Sequence, residues 1–472
     1  MCFGILIRPC GHLLLFKEKG EQIVMIKKKS VIPLIASETV RHAIEAFKKN
    51  PLPFMVTGSV QNYDWGERGK EAYIPRLLGR SSGGGQAYAE LWIGAHPLKP
   101  SKVKLGHINP SSPEKNAEIN LDDLVDQAPK EILGARFERK FDGQFPFLVK
   151  VLSAASALSI QAHPNKRQAL EGFKREESLG IPRNSEKRNY KDPRHKPELL
   201  VALTPFHALK GFRPADEILK IWKKEPELSK VVEDFGEIRK NSSGHAAKKF
   251  LKDLYERCVT MEQARASQIL AGLAERLKER NRKRAFTKRD PRYWFLKADK
   301  EHSRGQDKDR GLFSFYLLNL LCLEPGQAIY LDAGELHGYL EGVGLEVMAN
   351  SDNVLRGGLT SKHVNIPELL KVLTFSAGPV PVALPDGKGT YKIQAREFQV
   401  QAMERPDQKS SKNIRVAGPE VLILLKGKVK IESSGGNILL RRGETALIPA
   451  ALKRVNLVAK SPVVRLYRCF VP

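Results

Sequence analysis

The chain has 472 residues, 41% of them hydrophobic and 28% charged, which is the balance of a soluble protein with a substantial core; at roughly 100–200 residues per domain there is room for two or three. No apolar run approaches the ~18–20 residues that span a bilayer, and the five cysteines (Cys2, Cys10, Cys258, Cys322, Cys469) form no Cys-x-x-Cys pair, which argues against a cysteine-built metal site and for a reducing compartment. Seventy-nine basic against 53 acidic residues leave a net charge of +26, a field that favours anions of any class and is read here as a basic solvated surface.

Residues 1–50 read as an N-terminal extension. Its apolar stretches Gly4–Ile7 and Leu13–Phe16 are separated by Arg8, Pro9, Gly11 and His12, too broken for a secretory signal, so a cytoplasmic protein is expected. Ser37 is placed to cap an amphipathic helix through Val40, Ala43, Ile44 and Phe47 that stops near Asn50-Pro51. Residues 51–212 have β texture, with Phe147–Leu152 and Ala157–Ala162 as strands and one helix over Leu121–Leu133.

From 213 to 310 the texture changes. Leu251, Leu254, Tyr255 and Cys258, and again Leu270, Leu273 and Leu277, recur at helical spacing between charged stretches, which predicts a helical insert. Gly311–Cys322 is apolar throughout and reads as one buried helix before the turn Glu324-Pro325-Gly326. Strands follow at Ala328–Leu331 and Gly344–Met348, then a helix at Ile366–Val372. Residues 311–375 complete the lobe begun at 51–212, and residues 376–472 form a second β lobe with strands Val421–Leu425, Val429–Ile431 and Ile438–Leu440. The expected fold is mainly β with α, two β lobes carrying an inserted helical domain.

Three segments carry candidate chemistry. On a strand, Leu158-Ser-Ile-Gln-Ala-His-Pro164 puts Ser159, Gln161 and His163 on one face and Leu158, Ile160 and Ala162 on the other; the plainer reading is a polar face turned to solvent. In Arg194-His-Lys-Pro-Glu-Leu-Leu200, Lys196 and Glu198 share a face where the chain enters an apolar run, and a carboxylate there is costly unless paired or metal-bound; the alternative is a strand-edge glutamate held by its lysine. In Leu336–Lys362, His337 and Tyr339 share a face, and Arg356 is expected on a loop among the turn-forming Asn350–Asn353 and Gly357-Gly358. Gln161, His163, Glu198 and His337 together offer O, N, O and N donors suited to zinc, one plausible grouping among several that 11 histidines allow.

The ordered motifs Gly58-Ser-Val-Gln-Asn-Tyr-Asp-Trp-Gly66, Ala89-Glu-Leu-Trp-Ile-Gly94, Phe145–Leu152, Ser159–Lys166, Lys196-Pro-Glu198 and His337–Lys362 resemble the type I phosphomannose isomerases of the cupin superfamily, and Arg442–Ala450 resembles their second lobe. The resemblance implies two cupin-type β-barrel or jelly-roll lobes. It also implies one Zn²⁺ per chain on Gln161, His163, Glu198 and His337, and interconversion of mannose 6-phosphate and fructose 6-phosphate. It places a catalytic role on Arg356, proton transfer on Lys196, and sugar or phosphate binding on Lys150, Ser159 and Lys362; Tyr339, on the His337 face, joins the expected substrate-binding set. Gly338 and Gly357 stand where alanine is common in the family, and Ser361 where proline is usual.

Two other classes of protein fit the sequence less well. A non-catalytic sugar-phosphate sensor would be expected to lack Arg356, Lys196 or a metal ligand, and all are present. A nucleic-acid-binding protein would use the basic stretch Arg276–Arg292 with Phe286, Tyr293 and Trp294, which match no recognised module. The expected partner is a sugar phosphate, with no specific nucleic acid, no membrane and the oligomeric state left open.

Overall fold

The computed structural model describes residues 38–235, 244–405 and 411–472, together with two short paired strands, Ile5–Ile7 and Leu13–Leu15. Helix Glu38–Lys49 turns Ala43, Ile44 and Phe47 into the core, where Phe47 meets the edge of Phe54 at 5.6 Å. Ser37, expected as its cap, lies outside the described residues. No helix among the described residues is long and apolar enough to cross a membrane.

The largest sheet is organised by one long strand, His337–Ala349. Its second half lies between Phe147–Ala154 and Glu198–Ala202, with Phe147 opposite Ala349 and Glu198 opposite Met348. Its first half leaves those partners for Phe206–Phe212 and for Gln161, which faces His337. The exchange of partners falls at Gly342, whose φ of +127° disfavours any residue with a side chain. Strand Ile160–Ala162 then pairs with Leu355–Gly358, so three strands bring His337, Gln161 and Arg356 side by side.

The C-terminal region is two sheets packed face to face. One runs Thr390–Tyr391, Gln399–Arg405, Val464–Phe470, Glu420–Lys426, Thr445–Ile448 and Phe54–Val56; the other runs Ser411–Arg415, Arg454–Ala459, Lys428–Ser433 and Gly436–Arg441. Leu422, Leu424, Val429, Ile431 and Leu440 alternate inward to fill the space between them. Phe54–Val56 thus ties the N-terminal part of the chain to the C-terminal sheet. The fold is mainly β with helices, and the strand orders are open.

The helical insert contains Ala215–Lys224, His245–Thr260, Gln263–Lys283 and Pro291–His302 around a core that includes Trp222, Leu254, Leu270, Leu273, Trp294 and Phe295. Much of its basic stretch is paired: Arg276 with Glu225 and Glu227, Lys283 with Glu279, and Arg292 with Asp290.

Three sequence expectations are corrected. Gly311–Cys322 is not one helix: a 3₁₀ turn Arg310–Phe313 and a short helix Ser314–Leu317 lead into strand Leu318–Leu323, paired with Phe206–Phe212. The expected helix Leu121–Leu133 breaks at Ala128 into Leu121–Gln127 and Pro129–Leu133, because a residue before proline is pushed out of the helical region. The strand expected over Ala157–Ala162 is only Ile160–Ala162.

Candidate active site

Each side chain of the central cluster is delivered by the end of a strand. His163 closes the strand Ile160–Ala162, just before Asn165 caps helix Lys166–Ser178 in a reciprocal box with Gln168. Glu198 opens its strand, and His337 opens the long one. His163, Glu198 and His337 are at most 1% exposed, and one ligand atom from each lies within 4.8 Å of the others. His163 Nε2 stands 3.4 Å from Glu198 Oε1, and His337 Nε2 stands 3.6 Å from Glu198 Oε2.

The other nitrogen of each histidine is occupied. His163 Nδ1 donates to the carbonyl of Asn353 at 2.7 Å, and His337 Nδ1 donates to that of Glu335 at 3.0 Å. Both Nε2 atoms are left with a lone pair facing the cluster. His163 Nε2 and Glu198 Oε2 are buried without a hydrogen-bond partner. Burial, then the neighbouring His163, pushes the His337 pKa down to about 3, and burial followed by the Lys196 charge lowers that of His163. Burial alone would raise the Glu198 carboxyl, but Lys196 and His163 outweigh it and hold it well below the usual carboxylate range. Neutral imidazoles beside an ionised carboxylate, with orphaned donor atoms, are what a divalent cation of the zinc type requires. Gln161 Nε2 lies 3.4 Å from His337 Nε2, and a half-turn of the terminal amide presents its oxygen there instead.

Lys196 Nζ is 2.9 Å from Glu198 Oε1 and is buried with it. Arg356 lies on strand Leu355–Gly358 rather than on the expected loop, because its backbone pairs with Gln161. Directly opposed residues share a face of the sheet, so Arg356 and His337 flank Gln161 on one side. Arg356 and Lys362 have no ion-pair partner among the described residues, and neither has Lys191. Burial of its ammonium end, then the charges of Arg356 and Lys191, lower the pKa of Lys362, although the residue as a whole is exposed.

Ser159 Oγ is 3.5 Å from Gln161 Oε1, on the shared face that the alternation predicts. Lys150 and Tyr339 are not free. Lys150 Nζ sits 3.2 Å from Glu346 and 3.5 Å from Glu90, with the Trp92 ring at 5.0 Å, while Tyr339 Oη donates to Glu346 at 2.8 Å. Burial would lower the Lys150 pKa, but Glu90 and Glu346 outweigh it and push it up.

Sequence reasoning missed Glu346, Lys191 and Asn353. Glu346 could have been found, because it sits in the apolar run Leu345–Met348, the same signal that singled out Glu198. A single lysine in a charged stretch gives no such signal. Asn353 acts through its backbone carbonyl on His163 and through its amide on the backbone of Lys191, Asp192 and Arg194. A cavity of about 630 Å³ beside Gly326, Lys388 and Tyr391 includes none of the cluster residues.

A buried His–Glu–His cluster that could hold a metal ion, with an unpaired arginine on a neighbouring strand, is the class of site that this mainly β fold presents. Residues 54–215 match the family model of the phosphomannose isomerase type I catalytic domain. The chain is 35% identical over 416 residues to mannose-6-phosphate isomerase of Shigella flexneri, covering 87% of this chain and 98% of the relative. Among solved structures, a point variant of phosphomannose isomerase from Salmonella typhimurium superposes with a TM-score of 0.74 at 31% identity, covering 89% of this chain and 99% of the other. A mannose 6-phosphate isomerase bound with zinc and yttrium gives 0.73 at 32% identity with the same coverage. The chain belongs to the type I phosphomannose isomerase family.

Proposed function

We propose that the chain interconverts mannose 6-phosphate and fructose 6-phosphate, working in the cytoplasm with one zinc ion held by Gln161, His163, Glu198 and His337 in a cupin-type lobe. The observation that carries this is the pair of histidines whose Nδ1 atoms are spent on carbonyls while their Nε2 atoms face Glu198. Zinc, when bound, supplies Lewis acidity to the sugar oxygens.

Aldose–ketose isomerisation moves a proton between C1 and C2 through an enediol, so the chain must provide a base, a counter-charge and a grip on the phosphate. Lys196 is the amine nearest the cluster, fixed by Glu198, and is assigned the proton transfer. Arg356 supplies a fixed positive charge on the face that carries Gln161 and His337, aimed at the developing oxyanion. Lys362, joined by Lys191, holds the phosphate and so anchors the reacting end. Ser159 contributes a hydroxyl to the sugar side. Lys150 and Tyr339 bind the sugar side less directly, by fixing Glu346 and the wall it forms. The partner is a sugar phosphate, and no nucleic acid or membrane takes part.

The test is a coupled assay with mannose 6-phosphate, run before and after chelation. Turnover that disappears on chelation and returns with Zn²⁺ is expected; turnover on another sugar phosphate but none on mannose 6-phosphate would overturn the assignment.

A further inference from the structure

The strand that carries Arg356 is bulged. Ile160 faces Gly358 and Gln161 faces Arg356, so Gly357 has no partner across the ladder. A bulge bends its strand and re-aims the residues beside it, which here means the arginine. Gly357 is buried, and a Cβ placed on it would overlap Tyr255 Oη and come within 3.2 Å of Leu369 Cδ2.

Tyr255 comes from the helical insert, on helix His245–Thr260, far from the cluster in sequence. Its ring packs against the stacked pair Phe212 and Phe375, with centroids at 5.7 and 6.4 Å. Its hydroxyl is buried without a hydrogen-bond partner. A buried orphan hydroxyl is unfavourable, and a phenylalanine would fill the same ring site without it, so the oxygen's presence calls for a reason. That oxygen stands where a Cβ on Gly357 would go, a contact that a phenylalanine would not make.

We infer that Tyr255 is a positioning residue for Arg356: its hydroxyl fills the space a side chain at position 357 would need and presses the bulge into the geometry that sets the arginine on the Gln161–His337 face. The role rests on the catalytic assignment of Arg356 proposed above. Through it the helical insert acts on the reaction without touching substrate.

The experiment compares Gly357→Ala, Tyr255→Phe and their combination, each in the otherwise unaltered enzyme and in Arg356→Ala, with kcat, KM and bound metal measured. Gly357→Ala should lower kcat by about tenfold or more, since a displacement near 1 Å can cost up to ~10²-fold, with KM within about twofold and metal retained. Adding Tyr255→Phe makes room for the new methyl and should bring kcat back to within about threefold of the parent. In Arg356→Ala neither change should lower kcat further. An equal loss in both backgrounds, or no recovery in the combination, would show ordinary packing and overturn the role. If Gly357→Ala does not fold, Tyr255→Phe decides alone: a kcat loss of about threefold that vanishes in Arg356→Ala supports the role, and an equal or absent loss overturns it. A parent enzyme inactive on mannose 6-phosphate would instead refute the proposed reaction, and this role with it.

Discussion

The C-terminal sheets and the sheet around His337–Ala349 both bury charge, and at Glu420 and Glu198 they do so in opposite ways. In the first, Glu420 is met by Arg468, with Nε 2.6 Å from the carboxylate, and Gln401 stands alongside at 3.3 Å; the surrounding core is aliphatic. The pair is satisfied internally and leaves nothing to bind. In the second, Glu198 faces one lysine and two neutral histidines with an oxygen to spare, while Arg356 and Lys362 have no acid of their own. Desolvating charge is costly unless it is paired, so a site that leaves charge unmatched is completed by something from outside the chain. The two regions therefore divide structural from chemical use of the same alternating strand pattern.

That contrast can be broken most severely at the cluster. Chelation, or Glu198→Ala, should abolish measurable turnover and reduce bound zinc from about one per chain towards zero, with Zn²⁺ restoring only the chelated parent. Full activity in rigorously metal-free protein would end the mechanism. Next in size is Arg356→Ala, expected to lower kcat by about 10²–10³-fold with zinc content unchanged, because it acts on charge that develops during reaction. Loss of zinc, or an effect on KM alone, would remove Arg356 from the chemistry.

Lys362→Ala and Lys191→Ala should each raise KM while leaving kcat within a few-fold, as expected for groups that hold a phosphate unchanged by the reaction. A drop in kcat at constant KM would contradict that. Least effect on turnover is expected from Glu420→Gln in the C-terminal sheets. Removing one partner strands Arg468 and should lower unfolding free energy by about 3–5 kcal/mol, seen as a reduced midpoint in denaturant, with kcat and KM intact at low temperature. Changed kinetics in the folded variant would show that the two regions are not so separate.

Much of the fold could be read from periodicity where the pattern had contrast. Helix Ile366–Val372 has the bounds expected of it, and the insert's Leu270, Leu273 and Leu277 do face inward. Gly311–Cys322 misled because an unbroken apolar run looks the same as a buried helix or as a buried strand; only the partner Phe206–Phe212 decides. The turn-rich composition around Asn350–Gly358 suggested a loop for Arg356, and a ladder to Gln161 that no local window can show makes it a strand. At the site, alternation put Ser159, Gln161 and His163 on one face and the apolar run singled out Glu198, but it took the family resemblance to choose Gln161, His163, Glu198 and His337 as one ligand set. The hydrogen bonds that fix the imidazoles come from backbone carbonyls, and these carry no signature in a sequence.

The helical insert leaves the sheet after Phe212 and returns at Leu318, and those two residues are neighbours across a ladder. Asn319 clasps that junction, with Nδ2 3.0–3.2 Å from the carbonyls of Lys210, Gly211, Phe212 and Gly378. In topological terms the whole insert is the tip of one β-hairpin, entering and leaving at a single doorway. Its helices pack on one another around Leu254, Leu270, Leu273 and Trp294, in a cluster that continues into Leu209, Leu336, Leu355 and Phe375; the contacts among the helices are the more local in sequence, so they can form before the doorway closes. Closing it brings together ends that a compact insert already holds close, and the loop-entropy cost of pairing these strands is far smaller than their separation in sequence suggests. The same doorway makes the insert a unit that can lengthen, shorten or diverge without shifting the register of the strands that carry Glu198 and His337.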